Sequence, residues 1–213
     1  MDLADYIDHT LLNPTATQSQ IQILCEEAIA YGFKAVCVHA CWVALASELL
    51  KDSEVQVATV VGFPLGAMST LAKVAETKEA LKKGANEVDM VLNLGWLKSQ
   101  QYHKVQDDIA PVKQAIGQKV LKVILETCYL TDDEKEKACE LAVAAGADFV
   151  KTSTGFGTGG ATFEDVLLMK AVVGDKALIK ASGGIRDRET ALRYISMGVS
   201  RIGTSSGPAL LNN

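Results

Sequence analysis

A (β/α)8 TIM barrel folded as one domain over residues 1–213 is the fold that the sequence predicts, and three observations lead to it. Eight short β-branched runs alternate with helical stretches along the whole chain. Most of these runs are continuously apolar, the pattern of parallel strands covered on both faces. About 200 residues is the compact end of the size range for eight such units. A doubly wound open sheet is the competing architecture, but no Gly-x-Gly-x-x-Gly follows the first run.

The strand-like runs are Tyr6 to Leu11, Ala35 to His39, Gln56 to Gly62, Glu87 to Leu92, Leu121 to Glu126, Phe149 to Ser153, Ala177 to Ala181 and Ser200 to Thr204. Between the first two, Thr17 to Tyr31 places Ile21, Leu24, Cys25 and Ala28 on one helical stripe. Ser69 to Lys83 opens on a Ser or Thr cap after a Gly-Phe-Pro-Leu-Gly loop. Thr131 and Glu134 have the spacing of a capping box. Gly32, Gly84, Gly146 and Gly198 each close a helical stretch, where a left-handed residue belongs. Gly-Ala-Asn-Glu-Val-Asp (84–89) and Gly-Ala-Asp-Phe-Val-Lys (146–151) echo one helix-to-strand junction.

Composition narrows the function. A net charge of −5 argues against a nucleic-acid surface. An anionic substrate must then be held by a local positive site. No apolar run is long enough to span a bilayer, and the first residues lack the basic and apolar regions of a signal peptide. Five cysteines form an odd set without a disulfide framework, so a cytoplasmic enzyme is expected. Cys37, His39 and Cys41 would share one face of an extended strand, but no fourth ligand cluster accompanies them, and no metal is expected.

Lysines on apolar strands carry the chemistry. Lys151 ends one run and Lys180 ends the next. Burying an unpaired ammonium is costly, and two close together depress each other's pKa toward the free amine that attacks carbonyls. Alternation turns Phe149 and Ser153 inward with Lys151, and Leu178 and Ser182 inward with Lys180. Asp89 and Lys122 on the neighbouring runs complete a charged cluster in which positive charge exceeds negative. A salt-bridged plug is the bland alternative, and the surplus of charge favours function. After the last two runs come Ser182-Gly183-Gly184-Ile185-Arg186 and Gly203-Thr204-Ser205-Ser206-Gly207. Glycines let N–H groups approach an anion, Ser205 and Ser206 are expected to start a short helix, and barrels often hold phosphate in these two loops.

Six segments in order, Ile-Asp-His-Thr-Leu-Leu (7–12), Glu-Val-Asp-Met-Val (87–91), Leu-Lys-Val-Ile-Leu-Glu-Thr (121–127), Phe-Val-Lys-Thr-Ser-Thr-Gly-Phe (149–156), Ile-Lys-Ala-Ser-Gly-Gly-Ile-Arg (179–186) and Gly-Thr-Ser-Ser-Gly (203–207), resemble the deoxyribose-phosphate aldolase family. The resemblance implies a class I aldolase without metal or other cofactor. It would reversibly cleave 2-deoxy-D-ribose 5-phosphate to acetaldehyde and D-glyceraldehyde 3-phosphate. Lys151 resembles the Schiff-base lysine, Lys180 the lysine that depresses its pKa, and Asp89 a proton-transfer carboxylate acting through water. Lys122 matches an accessory lysine. Gly183, Gly184, Arg186, Gly203, Ser205 and Ser206 match the phosphate cradle, with Gly155 bordering it. Small barrels of this type often pair as homodimers.

Two departures stand out. Family members often carry Pro shortly after Val-Cys-Val, whereas this chain reads His39-Ala40-Cys41-Trp42, which predicts a reshaped pocket loop. Many members end in a Tyr that assists proton transfer, whereas this chain ends Leu-Leu-Asn-Asn. Either that help is absent or the chain is cut short. Three other readings share parts of the pattern: a different lysine aldolase, an acid–base isomerase or lyase with an electrostatic Lys151, and a barrel that only binds a sugar phosphate.

Overall fold

The computed structural model describes residues 2–211. Eight parallel strands close into a barrel in sequence order, β1 Ile7–Leu11, β2 Ala35–Val38, β3 Gln56–Val61, β4 Glu87–Val91, β5 Val120–Ile124, β6 Phe149–Lys151, β7 Leu178–Ser182 and β8 Arg201–Thr204. β1 closes on β8 with Asp8 opposite Gly203. The helices are α1 Gln18–Tyr31, α2 Val43–Leu49, α3 Thr70–Lys82, α4 Leu94–Lys98, α5 Tyr102–Ile116, α6 Asp132–Ala144, α7 Phe163–Val173, α8 Arg188–Ser196 and α9 Gly207–Leu211. The expected (β/α)8 barrel is the fold of the chain. Asn212 and Asn213, and with them the expectation about the chain end, lie outside the described residues.

Strand alternation separates two cores. Outward residues such as Val36, Val38, Val88, Met90, Leu121, Val123, Val150, Ile179 and Ile202 join the helices in one large apolar cluster. Burial of each such side chain contributes about 1.5–3 kcal/mol, so this shell carries the stability. Inside the barrel, β2 and β3 present only the small apolar residues Ala35, Cys37, Ala58 and Val60, joined by Leu12. The remaining strands turn charged residues inward, and these build the site.

Local chemistry fixes the units. Thr17 with Gln20 and Thr131 with Glu134 form capping boxes at α1 and α6, and the Ser69 side chain caps α3. Each such cap is worth about 1 kcal/mol. The four expected helix-stopping glycines all have positive φ. The echoed junction has a physical cause. Asn86 Oδ1 accepts the Val57 N–H at 2.9 Å, and Asp148 Oδ2 accepts the Leu121 N–H at 2.7 Å. The same position thus ties the base of two strands to the strand before.

The structure moves some expected boundaries. β6 ends at Lys151, because Thr152, Ser153 and Thr154 turn into a loop held by side chains. β7 runs one residue beyond Ala181, to Ser182. Leu178 sits at the base of the barrel, 50% exposed, instead of filling the interior beside Lys180. β2 stops at Val38 and a short 3-10 turn follows at Ala40–Trp42. Cys37, His39 and Cys41 therefore do not share a face: Cys37 is buried in the barrel, His39 bonds the Leu12 carbonyl and Cys41 is exposed.

Candidate active site

Seven charged side chains from six strands meet inside the barrel. Asp89 on β4 receives three lysines. Its Oδ1 accepts Lys122 Nζ at 2.8 Å, and its Oδ2 accepts both Lys151 Nζ and Lys180 Nζ at 2.8 Å. Lys180 also donates to Asp8 Oδ2. Arg201 donates to Asp8 Oδ1 at 2.6 Å and forks onto both oxygens of Glu87 at 3.1 Å. Lys122 reaches Glu87 as well, at 2.5 Å. The Phe149 ring lies beneath this group, with Lys122 6.0 Å and Arg201 5.7 Å from its centroid. Phe149 therefore does turn inward with Lys151.

The cluster holds four basic and three acidic side chains, so it is neutral when one base gives up its proton. Electrostatics single out which. Burial pushes the Lys151 amine below the ordinary lysine value; Asp89 opposes that and Lys180 adds to it. Burial acts on Lys180 and Lys122 in the same sense, but their carboxylate partners outweigh it and both are raised. Burial works against ionisation of Asp8, yet Lys180, Arg201 and Lys122 hold its pKa at about 2. Asp89 is also held well below the usual carboxylate range, since its three lysines outweigh its burial. The two lysines are thus not mutually depressed, as the sequence suggested. Lys180 is held by two carboxylates and raised, whereas Lys151, with one shared oxygen, is the lysine of the cluster that is lowered.

Above the cluster opens a cavity of about 510 Å³. Among the described residues, Lys151 is the one lysine on its wall; Lys180, Lys122 and Asp89 lie beneath it. Opposite stand Gly155, Gly183, Gly184, Arg186, Gly203 and Ser205, so six of the seven expected phosphate-side residues line the same space. Gly183 has φ +92°, and a Cβ there would meet the Gly160 Cα at 2.8 Å, so only glycine fits. Gly203 lets the chain pass close to Lys180, whose Cε would lie 3.0 Å from an added Cβ. Ser206 is the exception. Its N–H donates to the Thr204 hydroxyl at 2.9 Å and its carbonyl accepts the Leu210 N–H at 3.3 Å, so it starts α9 as expected but stands outside the wall.

Sequence reasoning missed Asp8, Glu87 and Arg201 as members of the cluster. Their signal was the one that found the lysines: a charge within an apolar strand. Among the described residues, no group of three or more His, Cys, Asp or Glu side chains is arranged to hold a metal ion. Nor is any helix among them long and apolar enough to cross a membrane.

A parallel barrel with a buried lysine, its amine lowered, on the wall of a glycine-rich cavity at the strand C-terminal ends has the arrangement of a TIM-barrel enzyme site. The chain belongs to the DeoC/LacD family of aldolases, whose family model matches residues 3–213. It is therefore an aldolase, a carbon–carbon lyase. It is 58% identical over 207 residues to the deoxyribose-phosphate aldolase of Finegoldia magna, covering 97% of each chain. To that of Carboxydothermus hydrogenoformans it is 59% identical, covering 98% of this chain and 93% of the relative. Among solved structures, an aldolase named QR15 superposes with a TM-score of 0.95 at 43% identity, covering 99% of this chain and 94% of that one. The deoxyribose phosphate aldolase from Aeropyrum pernix, described as tetrameric, has a TM-score of 0.89 at 34% identity, covering 98% of this chain and 89% of its own.

Proposed function

We propose that this chain reversibly cleaves 2-deoxy-D-ribose 5-phosphate to acetaldehyde and D-glyceraldehyde 3-phosphate through a Schiff base on Lys151. One observation carries the reading: the lysine on the cavity wall is also the member of the cluster whose amine is pushed toward neutrality. The curated relatives at 58–59% identity supply the substrate class.

The roles follow from position. Neutral Lys151 attacks C1 of the open-chain sugar, and the carbinolamine loses water to give an iminium ion. Its positive charge forms beside Asp89, which already accepts from Lys151, so the charged state is stabilised where it appears. A base takes the proton of the C3 hydroxyl, and the electrons of the C2–C3 bond flow into the iminium. Glyceraldehyde 3-phosphate leaves, and the enamine on Lys151 is protonated at C2 and hydrolysed to acetaldehyde. Asp89 serves the proton movements, with water carrying the proton between it and the substrate. Lys180 keeps a fixed positive charge near Lys151, and Lys122 holds the other oxygen of Asp89.

Phosphate lies at the Gly183-Gly184 turn, with Arg186 and Ser205 at its rim and Gly155 and Gly203 allowing close backbone approach. Ser206 supports this rim through its bond to Thr204. The small apolar wall of β2 and β3 suits the two-carbon fragment that remains on the lysine. Residues 1–213 act as one catalytic domain, in the cytoplasm and as a homodimer.

Incubation with acetaldehyde followed by borohydride reduction should leave an N-ethyl group on Lys151, located by peptide mass spectrometry. No adduct, or one on another lysine, would remove Lys151 from its role.

A further inference from the structure

Glu126 lies just past β5 and does not reach the cavity, yet it is built into the structure in an unusual way. Its backbone has φ +55°, a region that side-chain-bearing residues seldom adopt. Its side chain is buried, and both carboxylate oxygens go to a single residue of the following loop. Oε1 accepts the Thr154 N–H at 3.1 Å and Oε2 accepts the Thr154 hydroxyl. That hydroxyl in turn accepts the Phe156 N–H at 3.0 Å. Between them sits Gly155, at φ +85° on the cavity wall. Gly157 closes over the same carboxylate, where an added Cβ would come 3.1 Å from Glu126 Cδ and 2.8 Å from Cys128 Sγ.

A buried carboxyl satisfied only by neutral donors is costly, and an apolar residue would fill the space more cheaply. What it gains is geometry. The Phe156 ring, whose backbone this chain of bonds fixes, stands edge-on to Phe63 at 5.3 Å, and Phe63 meets His39 at 5.8 Å. Phe63 packs in turn on the small apolar wall of β2 and β3. Three loops thus meet in one aromatic roof beside Lys151, and the β6 loop enters it through Thr154.

We propose that Glu126 is a positioning residue, which locks the β6 loop so that Gly155 and Phe156 wall the cavity at the height of Lys151. The inference rests on the reading of that cavity as the active site. Glu126 bonds Thr154 and not the lysine cluster, so the role assigned to it is geometric.

Glu126→Gln preserves shape but replaces one acceptor oxygen with an amino group. With that acceptor lost and the loop loosened, the KM for 2-deoxy-D-ribose 5-phosphate should rise about tenfold. kcat should fall by less, and the pH midpoint of kcat should not move. Amide exchange of residues 152–157, followed by mass spectrometry, should quicken about tenfold with the loop released. Thr154→Ser keeps both donors and should stay within about twofold of the parent in each measurement. If Glu126→Gln does not fold, Thr154→Val removes the hydroxyl alone and should show the same faster exchange and higher KM. Unchanged exchange and KM in a folded variant would overturn the inference, as would a displaced pH midpoint, which would mark Glu126 as an electrostatic group. Borohydride trapping on the parent enzyme keeps the two readings apart: failure to label Lys151 counts against the proposed function, whereas the exchange rates judge Glu126 by themselves.

Discussion

Replacing Lys180 with methionine removes one charge while keeping most of the side chain's bulk. Lys151 and Lys180 both donate to Asp89 Oδ2 at 2.8 Å, so their nitrogens stand roughly 5 Å apart, and at an effective dielectric constant of about 20 their repulsion is about 3 kcal/mol. That repulsion favours the neutral amine of Lys151. The sign is upward: without Lys180, Asp89 favours the protonated form of Lys151, and the nucleophile is lost at neutral pH. The acid limb of the kcat/KM profile should therefore move up in pH, with activity at pH 7 down about 100-fold and partly recovered in alkali. Asp8 keeps Arg201 and Asp89 keeps Lys122 in the variant, so circular dichroism should report a folded protein. A large loss of activity with an unmoved acid limb would refute the electrostatic argument, because Lys180 would then be acting by shape or by direct contact with substrate.

Two further outcomes follow from the site. Arg186→Ala should raise the KM for 2-deoxy-D-ribose 5-phosphate about tenfold while leaving the unphosphorylated sugar's kcat/KM unchanged, the loss expected for one charge-assisted contact; equal losses on both sugars would take Arg186 out of the phosphate rim. Asp8, with its pKa lowered from 3.8 to about 2, contributes stability that is complete above pH 3.8 and is lost as the pH falls toward 2. Asp8→Asn should therefore flatten the acid side of the stability curve in urea titrations between those values; an acid limb as steep as the parent's would contradict the assignment.

The barrel was legible because its signal is repeated eight times: continuous apolar runs between helices closed by glycine, each unit supporting the same conclusion. Lys151, Lys180, Asp89 and Lys122 were legible for a simpler reason, since a charge in such a run is costly to bury and persists there only for its chemistry or its partners. What the sequence did not disclose was the pairing. Asp8 and Arg201 lie at opposite ends of the chain, and only the closing register of β1 on β8 brings them together. Without them the cluster looked like an excess of cation and two lysines depressing each other. With them, Lys180 becomes a fixed cation and the surplus proton belongs to Lys151. Glu126 was hidden for a different reason: it sits at the end of a strand, where a carboxylate reads as an ordinary solvated residue, and its importance depends on a loop that folds back over it. The three-residue strand β6 was overestimated because Thr152 has strand propensity, but the bonds of Thr152 and Thr154 to neighbouring segments prevail over it.

The bonds from Asp8 to Lys180 and Arg201 span 172 and 193 positions of the chain. A growing polypeptide can therefore finish six strands, Lys151 included, and still lack the charged partners that surround that lysine in the folded chain. Until the last strand docks against the first, the barrel interior that buries this amine is not closed. The cluster around Lys151 is thus a product of the whole fold, assembled only when the two ends of the chain meet.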